Sequence, residues 1–104
     1  MESRESIAAA APKRIALEAN YPNPFNPSTT MRYSLTQRTA VRLAIYDVRG
    51  RLVRKLVDEV QDAGDRRAIW DGRDEGGVLV SSGVYLYRLE AAGTVLNRKL
   101  SLMK

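Results

Sequence analysis

The 104-residue chain contains neither cysteine nor histidine. Without cysteine it cannot form a disulfide, a thiolate metal site or a thiol nucleophile, and without histidine it lacks the commonest general base and metal ligand. No apolar run approaches the roughly 20 residues that span a bilayer. The first six residues also lack the apolar core of a signal peptide. These absences disfavour most hydrolytic and redox mechanisms, and we expect a non-enzymatic domain without a cofactor.

The charge is unbalanced, with 17 lysines and arginines against 12 acidic residues and a formal net charge of +5. The basic residues gather in three places: Arg49, Arg51, Arg54 and Lys55; Arg66 and Arg67; Arg98 and Lys99. Acidic residues interleave with them, and the few aromatic residues do not form a stacking platform, so we expect no nucleic acid partner. Solvated strand faces account for most of this charge. An anionic partner such as a polysaccharide or a lipid headgroup remains an open alternative.

Residues 1–13 differ in composition from the rest of the chain. A charged hexapeptide precedes Ile7 and four alanines, and Pro12 closes the segment. We interpret 1–13 as a flexible linker or cloning remnant. The folded domain is expected to cover 14–104.

From Arg14 onward the dominant hydrophobic period is two, which is typical of β-strands with one buried face. Seven short alternating segments are predicted, at 15–17, 31–35, 41–45, 52–57, 66–70, 84–89 and 96–102. Turn signals separate them, and Gly50 is expected to take the left-handed conformation of a three-residue hairpin loop with a bulge. The pattern predicts an all-β, seven-stranded antiparallel sandwich of the immunoglobulin-like or fibronectin-III-like type. A small barrel is the alternative, and the odd strand number favours two open sheets.

The acidic loop after Trp70 is the one candidate for a metal site. Its carboxylates are Asp71, Asp74 and Glu75. The loop lacks the alternating ligands of an EF-hand, and Arg73 lies among the acids. We therefore predict a polar turn and no metal, and a weak calcium site is the alternative.

A proline-rich segment, 20–29, reads Asn-Tyr-Pro-Asn-Pro-Phe-Asn-Pro-Ser-Thr. Each proline fixes its own φ and restricts the preceding residue, so we expect the segment to be extended and stiff. Tyr21 and Phe25 provide two aromatic anchors. We expect Phe25 to close one end of the hydrophobic core.

Four sequence blocks together resemble a known family. They are the proline segment 20–29, Tyr-Asp-Val-Arg-Gly-Arg at 46–51, Trp-Asp-Gly-Arg-Asp at 70–74, and Ser-Gly-Val-Tyr-Leu-Tyr-Arg-Leu at 82–89. In this order they resemble the type A C-terminal sorting domain of type IX secretion substrates. The Trp-Asp-Gly and Ser-Gly-Val-Tyr blocks equally resemble the immunoglobulin-like domain of flagellar hook-capping proteins. The opening proline block and the closing basic-then-apolar strand favour the sorting domain.

The resemblance implies a non-catalytic domain that targets a larger secreted protein to the type IX translocon and the cell surface. The implied partners are the translocon and its shuttle proteins, a sortase-like peptidase and an anionic lipopolysaccharide surface. The implied route runs through the periplasm and outer membrane to a secreted or surface location. We expect the domain to be monomeric. A carbohydrate- or surface-binding module and a structural assembly domain are the alternatives.

By position, the resemblance also implies candidate site residues. The recognition residues are Gly83, Val84, Tyr85, Lys99, Leu100, Leu102 and Lys104. The proline-block motif comprises Asn23, Pro24, Phe25, Asn26 and Pro27. A strand-opening turn followed by core residues is the structural alternative for Gly83 and Tyr85.

Overall fold

A computed structural model describes residues 12–103. The predicted linker therefore lies outside the described residues except for Pro12 and Lys13. Seven strands follow in chain order: β1 (Ala16–Leu17), β2 (Thr29–Leu35), β3 (Thr39–Asp47), β4 (Leu52–Gln61), β5 (Gly64–Trp70), β6 (Gly83–Ala91) and β7 (Thr94–Leu102). In the described part of the chain, no helix has the length and hydropathy of a membrane span.

The strands form two antiparallel sheets that pack face to face. One has three strands in the order β1-β2-β5, and the other has four in the order β4-β3-β6-β7. This arrangement confirms the predicted all-β, seven-stranded sandwich with two open sheets. The strand β6 lies between β3 and β7. Both faces of β6 carry apolar side chains, which suits a strand that is paired on both sides.

Alternating side chains of both sheets fill the core. In β6, Tyr85, Tyr87 and Leu89 point inward, and in β5 the inward set ends at Trp70, which is fully buried.

Several strands are longer than their apolar runs predicted. The edge strand β4 continues to Gln61 through a mostly exposed stretch, with a bulge opposite Leu43 and Ala44. Backbone pairing with β3 holds this stretch in the sheet, so its side chains need no apolar pattern.

The hairpin between β3 and β4 has the predicted three-residue loop. The Asp47 N–H donates to the Arg51 carbonyl, and the Gly50 N–H donates back to the Asp47 carbonyl. Gly50 has φ of +87°, a conformation that residues with a Cβ rarely adopt. The register shifts between Ile45 and Tyr46, which places a bulge beside the loop.

The sandwich has two distinct ends. At one end, which we call the motif pole, lie Trp70, the start of β6 and the end of β7. At the other end, β1 begins at Ala16, which pairs with Ser34 near the end of β2. Because β1 and β7 both run toward the motif pole, the chain enters the sandwich at one end and leaves it at the other.

The hydroxyl groups of two buried tyrosines donate hydrogen bonds to polar partners. Tyr33 donates to Gln61 Oε1 at 2.6 Å, and Tyr87 donates to the Glu18 carbonyl at 2.7 Å. Burial raises the pKa of Tyr33 and of Tyr87, since the charged phenolate would lose its hydration. Both hydroxyls therefore act as neutral donors that tie the sheets together.

Candidate recognition surface at the proline block and strand β7

The proline block forms a closed loop and not the extended segment that its composition predicted. Tyr21 and Thr30 exchange two backbone hydrogen bonds of 2.9 Å, which brings the ends of the segment together. Inside the loop, Thr29 Oγ1 donates to the Pro22 carbonyl at 2.8 Å and accepts from Asn20 Nδ2 at 3.0 Å. Proline restricts φ but does not prevent turns between successive prolines, so side chains in the loop decide its path.

Phe25 closes the core at the motif pole, as expected. Its ring lies 5.4 Å from the Trp70 ring, which in turn lies 5.4 Å from the Tyr85 ring. Trp70 Nε1 donates to the Arg73 carbonyl at 2.9 Å, and the Tyr85 hydroxyl donates to the Ser81 carbonyl at 2.6 Å. The polar atoms of this aromatic cluster are therefore satisfied by the adjoining loop. Three of the four sequence blocks meet in these three rings.

The proline block also binds the end of β7. The Phe25 N–H donates to the Ser101 carbonyl and the Met103 N–H donates to the Phe25 carbonyl, both at 3.1 Å. Asn23 Oδ1 accepts from the Ser101 N–H at 2.9 Å. A loop between two strands of the three-stranded sheet thus pairs with an edge of the four-stranded sheet. These bonds fix the last residues of β7.

The predicted recognition residues divide between core and surface. Tyr85, Leu100 and Leu102 are buried, whereas Val84 and Lys99 are exposed. Gly83 is exposed at the start of β6 with φ of +153°. Lys104 lies outside the described residues. In the proline block only Phe25 is buried, and Asn23, Pro24, Asn26 and Pro27 are exposed. The buried residues stabilise the fold, and only the exposed ones are accessible from outside the domain.

Within residues 12–103, no strand pairs with the outer edge of β7 ahead of Ser101, although β1 lies close to β7. Ser101 directs its N–H and carbonyl away from β6 and toward the proline block. Because backbone groups alternate along a strand, Val95, Asn97 and Lys99 direct theirs to the same side, where no strand pairs with them in the described chain. We call 95–99 the free edge. A shallow groove of about 320 Å³, lined by Ala19, Leu86, Asn97, Arg98 and Lys99, runs beside it.

Arg98 explains the break in the alternating pattern of β7. Its side chain donates from Nε to the Leu17 carbonyl at 2.6 Å, so it satisfies the end of β1 at the sandwich edge. Sequence reasoning missed Val95 and Asn97, which lie on the free edge. Their alternation with Leu96 and Arg98 places them on the solvent side. The local sequence does not reveal that this edge lacks a neighbouring strand.

The acidic loop forms the polar turn that was predicted. Asp71 Oδ1 accepts from the Arg73 N–H at 3.1 Å, and Asp74 Oδ1 accepts from Gly76 and Val78 N–H groups. The Glu75 carboxylate binds the Lys55 N–H. No group of three acidic side chains suited to a metal occurs within residues 12–103. Each of the three carboxylates accepts hydrogen bonds from different backbone N–H groups.

Known proteins share this fold. The structure is similar to dimeric latent PorU from Porphyromonas gingivalis, with a TM-score of 0.67 and 24% identity over 88% of this chain and 10% of PorU. It is also similar to FlgD from Xanthomonas campestris, described in connection with hook capping in flagellar assembly. There the TM-score is 0.59 with 23% identity over 93% of this chain and 71% of FlgD.

A third similar structure is PorZ, described as an essential bacterial surface component of the type-IX secretion system of P. gingivalis. Its TM-score is 0.57, with 19% identity over 86% of this chain and 11% of PorZ. The chain thus spans about a tenth of the length of PorU and PorZ, and the identities establish a common fold only. No curated protein sequence matches the chain.

A sequence-family comparison is more specific. The family described as the FlgD Ig-like domain matches residues 26–94. The match begins inside the proline block and ends at the first residue of β7. It includes the Trp-Asp-Gly and Ser-Gly-Val-Tyr blocks that meet at the motif pole. The chain belongs to the FlgD Ig-like domain family.

Proposed function

We propose that this domain is a non-catalytic targeting module that docks on the type IX secretion machinery by adding a strand at the free edge of β7. The observation that carries the proposal is the free edge itself, 95–99. An open strand edge offers main-chain donors and acceptors to an extended partner, and the neighbouring side chains supply specificity. The similarity to PorZ, a component of that system, supports the choice of machinery.

The proline block holds strand β7, which carries the free edge, in a fixed position. Its bonds to Ser101 and Met103 anchor one end of β7, and Arg98 anchors the middle. A strand held in its bound conformation loses little entropy when a partner pairs with it. The charges of Arg98 and Lys99 favour an acidic partner strand.

The proposal extends to the cellular partners and the route. The domain would meet the translocon and its shuttle proteins, a sortase-like peptidase would release it, and an anionic lipopolysaccharide surface would receive the cargo. The location would be secreted or at the cell surface, reached through the periplasm and outer membrane. The domain itself would act as a monomer without enzymatic activity.

Export of a fused reporter by a host with a type IX system tests the proposal. The variant Asn97→Pro removes the outward N–H and leaves the β6–β7 ladder intact, because proline is tolerated where the N–H faces away from the sheet. Asn97→Thr is the matched control, since it loses the same side-chain bond from Arg88 but keeps the N–H. We expect Asn97→Pro to lower export at least tenfold and Asn97→Thr to be exported normally. Normal export of a folded Asn97→Pro protein would contradict the proposal.

The family match favours a second candidate, a structural assembly domain like that of FlgD. Such a domain would hold subunits together and would not direct the export of a foreign reporter. The same assay therefore separates the two functions. A wild-type fusion that stays in the cell while the domain is folded would favour the assembly role.

A further inference from the structure

Strand β4 lies at the edge of the four-stranded sheet. It is the longest described strand, with ten residues, and within residues 12–103 only β3 pairs with it. An open edge of this length presents backbone donors and acceptors with which a strand of another molecule can pair. Along part of this edge, however, the chain supplies a partner of its own.

The acidic loop between β5 and β6 lies against the outer edge of β4. The Glu75 N–H donates to the Val53 carbonyl at 3.0 Å, and the Glu75 carboxylate accepts from the Lys55 N–H. One residue thus bonds to two outward-facing backbone groups of β4, as a neighbouring strand would. Arg54 Nη1 adds a bond of 3.4 Å to the Arg73 carbonyl, which holds the loop against the strand.

Internal hydrogen bonds give the acidic loop a defined shape. The Gly77 N–H donates to the Asp74 carbonyl at 3.0 Å, which forms a β-turn with Glu75 at its second position. The Arg73 guanidinium donates to the Gly77 carbonyl at 2.9 Å. The carboxylate that binds β4 therefore extends from a turn that the loop itself stabilises.

The sequence of β4 is complementary to itself when two copies are placed antiparallel. It reads Leu-Val-Arg-Lys-Leu-Val-Asp-Glu-Val-Gln from 52 to 61. One register brings together an apolar pair and two oppositely charged pairs, each formed twice by symmetry: Leu56 with Val57, Lys55 with Asp58, and Arg54 with Glu59. Within one copy Lys55 approaches Asp58 at 3.1 Å, so pairing exchanges that contact for the equivalent one between copies.

The bulge in β4 makes this register geometrically possible. Facing side chains of antiparallel strands must lie on the same face of the sheet, and in an unbroken strand Lys55 and Asp58 would lie on opposite faces. The extra residue between Lys55 and Val57 shifts the alternation, so Lys55 and Asp58 pair with Ala44 and Arg42 on one face of β3. The same shift places the other two charged residues together on the opposite face.

We propose that the edge of β4 is a self-interaction surface and that the acidic loop covers it, which keeps the domain monomeric. In the complementary register, Val53 and Lys55 of one copy face 58–60 of the other, and Glu75 occupies the space that this strand needs. A covering loop is one of the ways in which proteins protect edge strands. The occupant is a second copy because β4 itself supplies both members of each charge pair. This surface is separate from the free edge, and the inference does not rest on the proposed function.

Sedimentation velocity of the whole chain at a series of concentrations tests the proposal. Glu75→Pro removes the N–H and the carboxylate that bind β4 but preserves the turn, because proline is favoured at the second position of a β-turn. Glu75→Gln is the matched control, since it keeps the N–H and an acceptor oxygen. We expect Glu75→Pro to dimerise at concentrations about tenfold or more below any at which wild type or Glu75→Gln associates.

Charge reversal tests the register of the dimer. In the Glu75→Pro background, Glu59→Arg would place two cations opposite each other at the Arg54 position and should abolish the dimer. Further substitution of Arg54→Glu reverses the pair and should restore the dimer.

Three results would overturn the proposal. The first is a folded Glu75→Pro protein that stays monomeric, and the second is a dimer that Glu59→Arg leaves intact. The third is equal association of wild type or Glu75→Gln and Glu75→Pro, since the loop would then not control pairing. Circular dichroism establishes that each variant is folded. If Glu75→Pro does not fold, Glu75→Ala, which removes the carboxylate alone, replaces it with the same expected and contrary outcomes.

Discussion

Asp47 shows how one side chain can hold a turn. Its Oδ1 accepts hydrogen bonds of 2.9 Å from the N–H groups of both Arg49 and Arg51, and its Oδ2 lies 3.3 Å from Arg51 Nε. These donors favour the charged carboxylate. They hold the pKa of Asp47 below its ordinary value, the Arg51 N–H contributing most. The charged carboxylate therefore stabilises this hairpin more than the protonated acid would.

We predict that Asp47→Ala destabilises the domain at neutral pH and that its difference from wild type shrinks in acid. A carboxylate with a lowered folded pKa contributes stability above its unfolded pKa of about 3.9 and loses it as the pH falls through the folded value. Denaturant unfolding at several pH values between neutral and about pH 2 measures this. Asp62→Ala, which removes an exposed partner of Arg38, is the control. A difference that stays constant across this range would contradict the prediction.

At the scale of elements, the sequence predicted strands well and the contacts of loops poorly. Alternation predicted the strands that carry Tyr85, Leu100 and Leu102, because burial on one face of a strand leaves a local pattern, whereas the resemblance assigned these three buried residues to recognition. The bonds from Asn23 and Phe25 to β7 join residues more than 70 positions apart. Such pairing follows from how the sheets stack, and no local pattern encodes it. For the same reason the open edge of β7 could not be located from the sequence.

The end of β7 is a structural element of the core, and we predict that truncation after Lys99 unfolds the domain. Leu100 and Leu102 are 1% and 4% exposed. Loss of a buried leucine costs about 2–5 kcal/mol, and the two together approach the 5–15 kcal/mol of a typical domain. Circular dichroism of the truncated protein measures the loss. Met103→Ala, at a position 58% exposed, should remain folded.

A folded truncated protein would contradict this prediction. If the prediction holds, failure of a truncated fusion to be exported would report unfolding and not loss of a signal. Point variants on the free edge, such as Asn97→Pro, are then the informative ones for targeting.

At the scale of the whole molecule, the strand number and sandwich class could be predicted but the assignment of strands to sheets could not. Only residues 62–63 separate β4 from β5, a spacing typical of a hairpin. The two strands nevertheless belong to different sheets. At the point where the chain changes sheets, Gln61 accepts a hydrogen bond from Tyr33 across the sandwich. Long-range packing determines this choice.

We predict that the domain unfolds in a single transition. The one tryptophan, Trp70, is fully buried at the motif pole between Phe25 and Tyr85, and both sheets contribute to its surroundings. Its fluorescence should therefore report the same midpoint as far-ultraviolet circular dichroism, which reports the strands throughout. Urea titrations followed by the two signals provide the comparison. Separate midpoints would show that the motif pole unfolds independently.

The entry and exit of the chain at opposite ends of the sandwich have a mechanical consequence. A polypeptide joined ahead of β1 and another joined after β7 would pull on the domain along the direction of its strands. The nine residue pairs between β6 and β7 would then bear the load together, in shear, instead of separating one by one. The backbone hydrogen bonds that join Phe25 to Ser101 and Met103 lie at the point where that load enters β7. Only two residue pairs join β1 to β2 at the other point of attachment, so under such tension β1 would detach first and the β6–β7 ladder would hold longest.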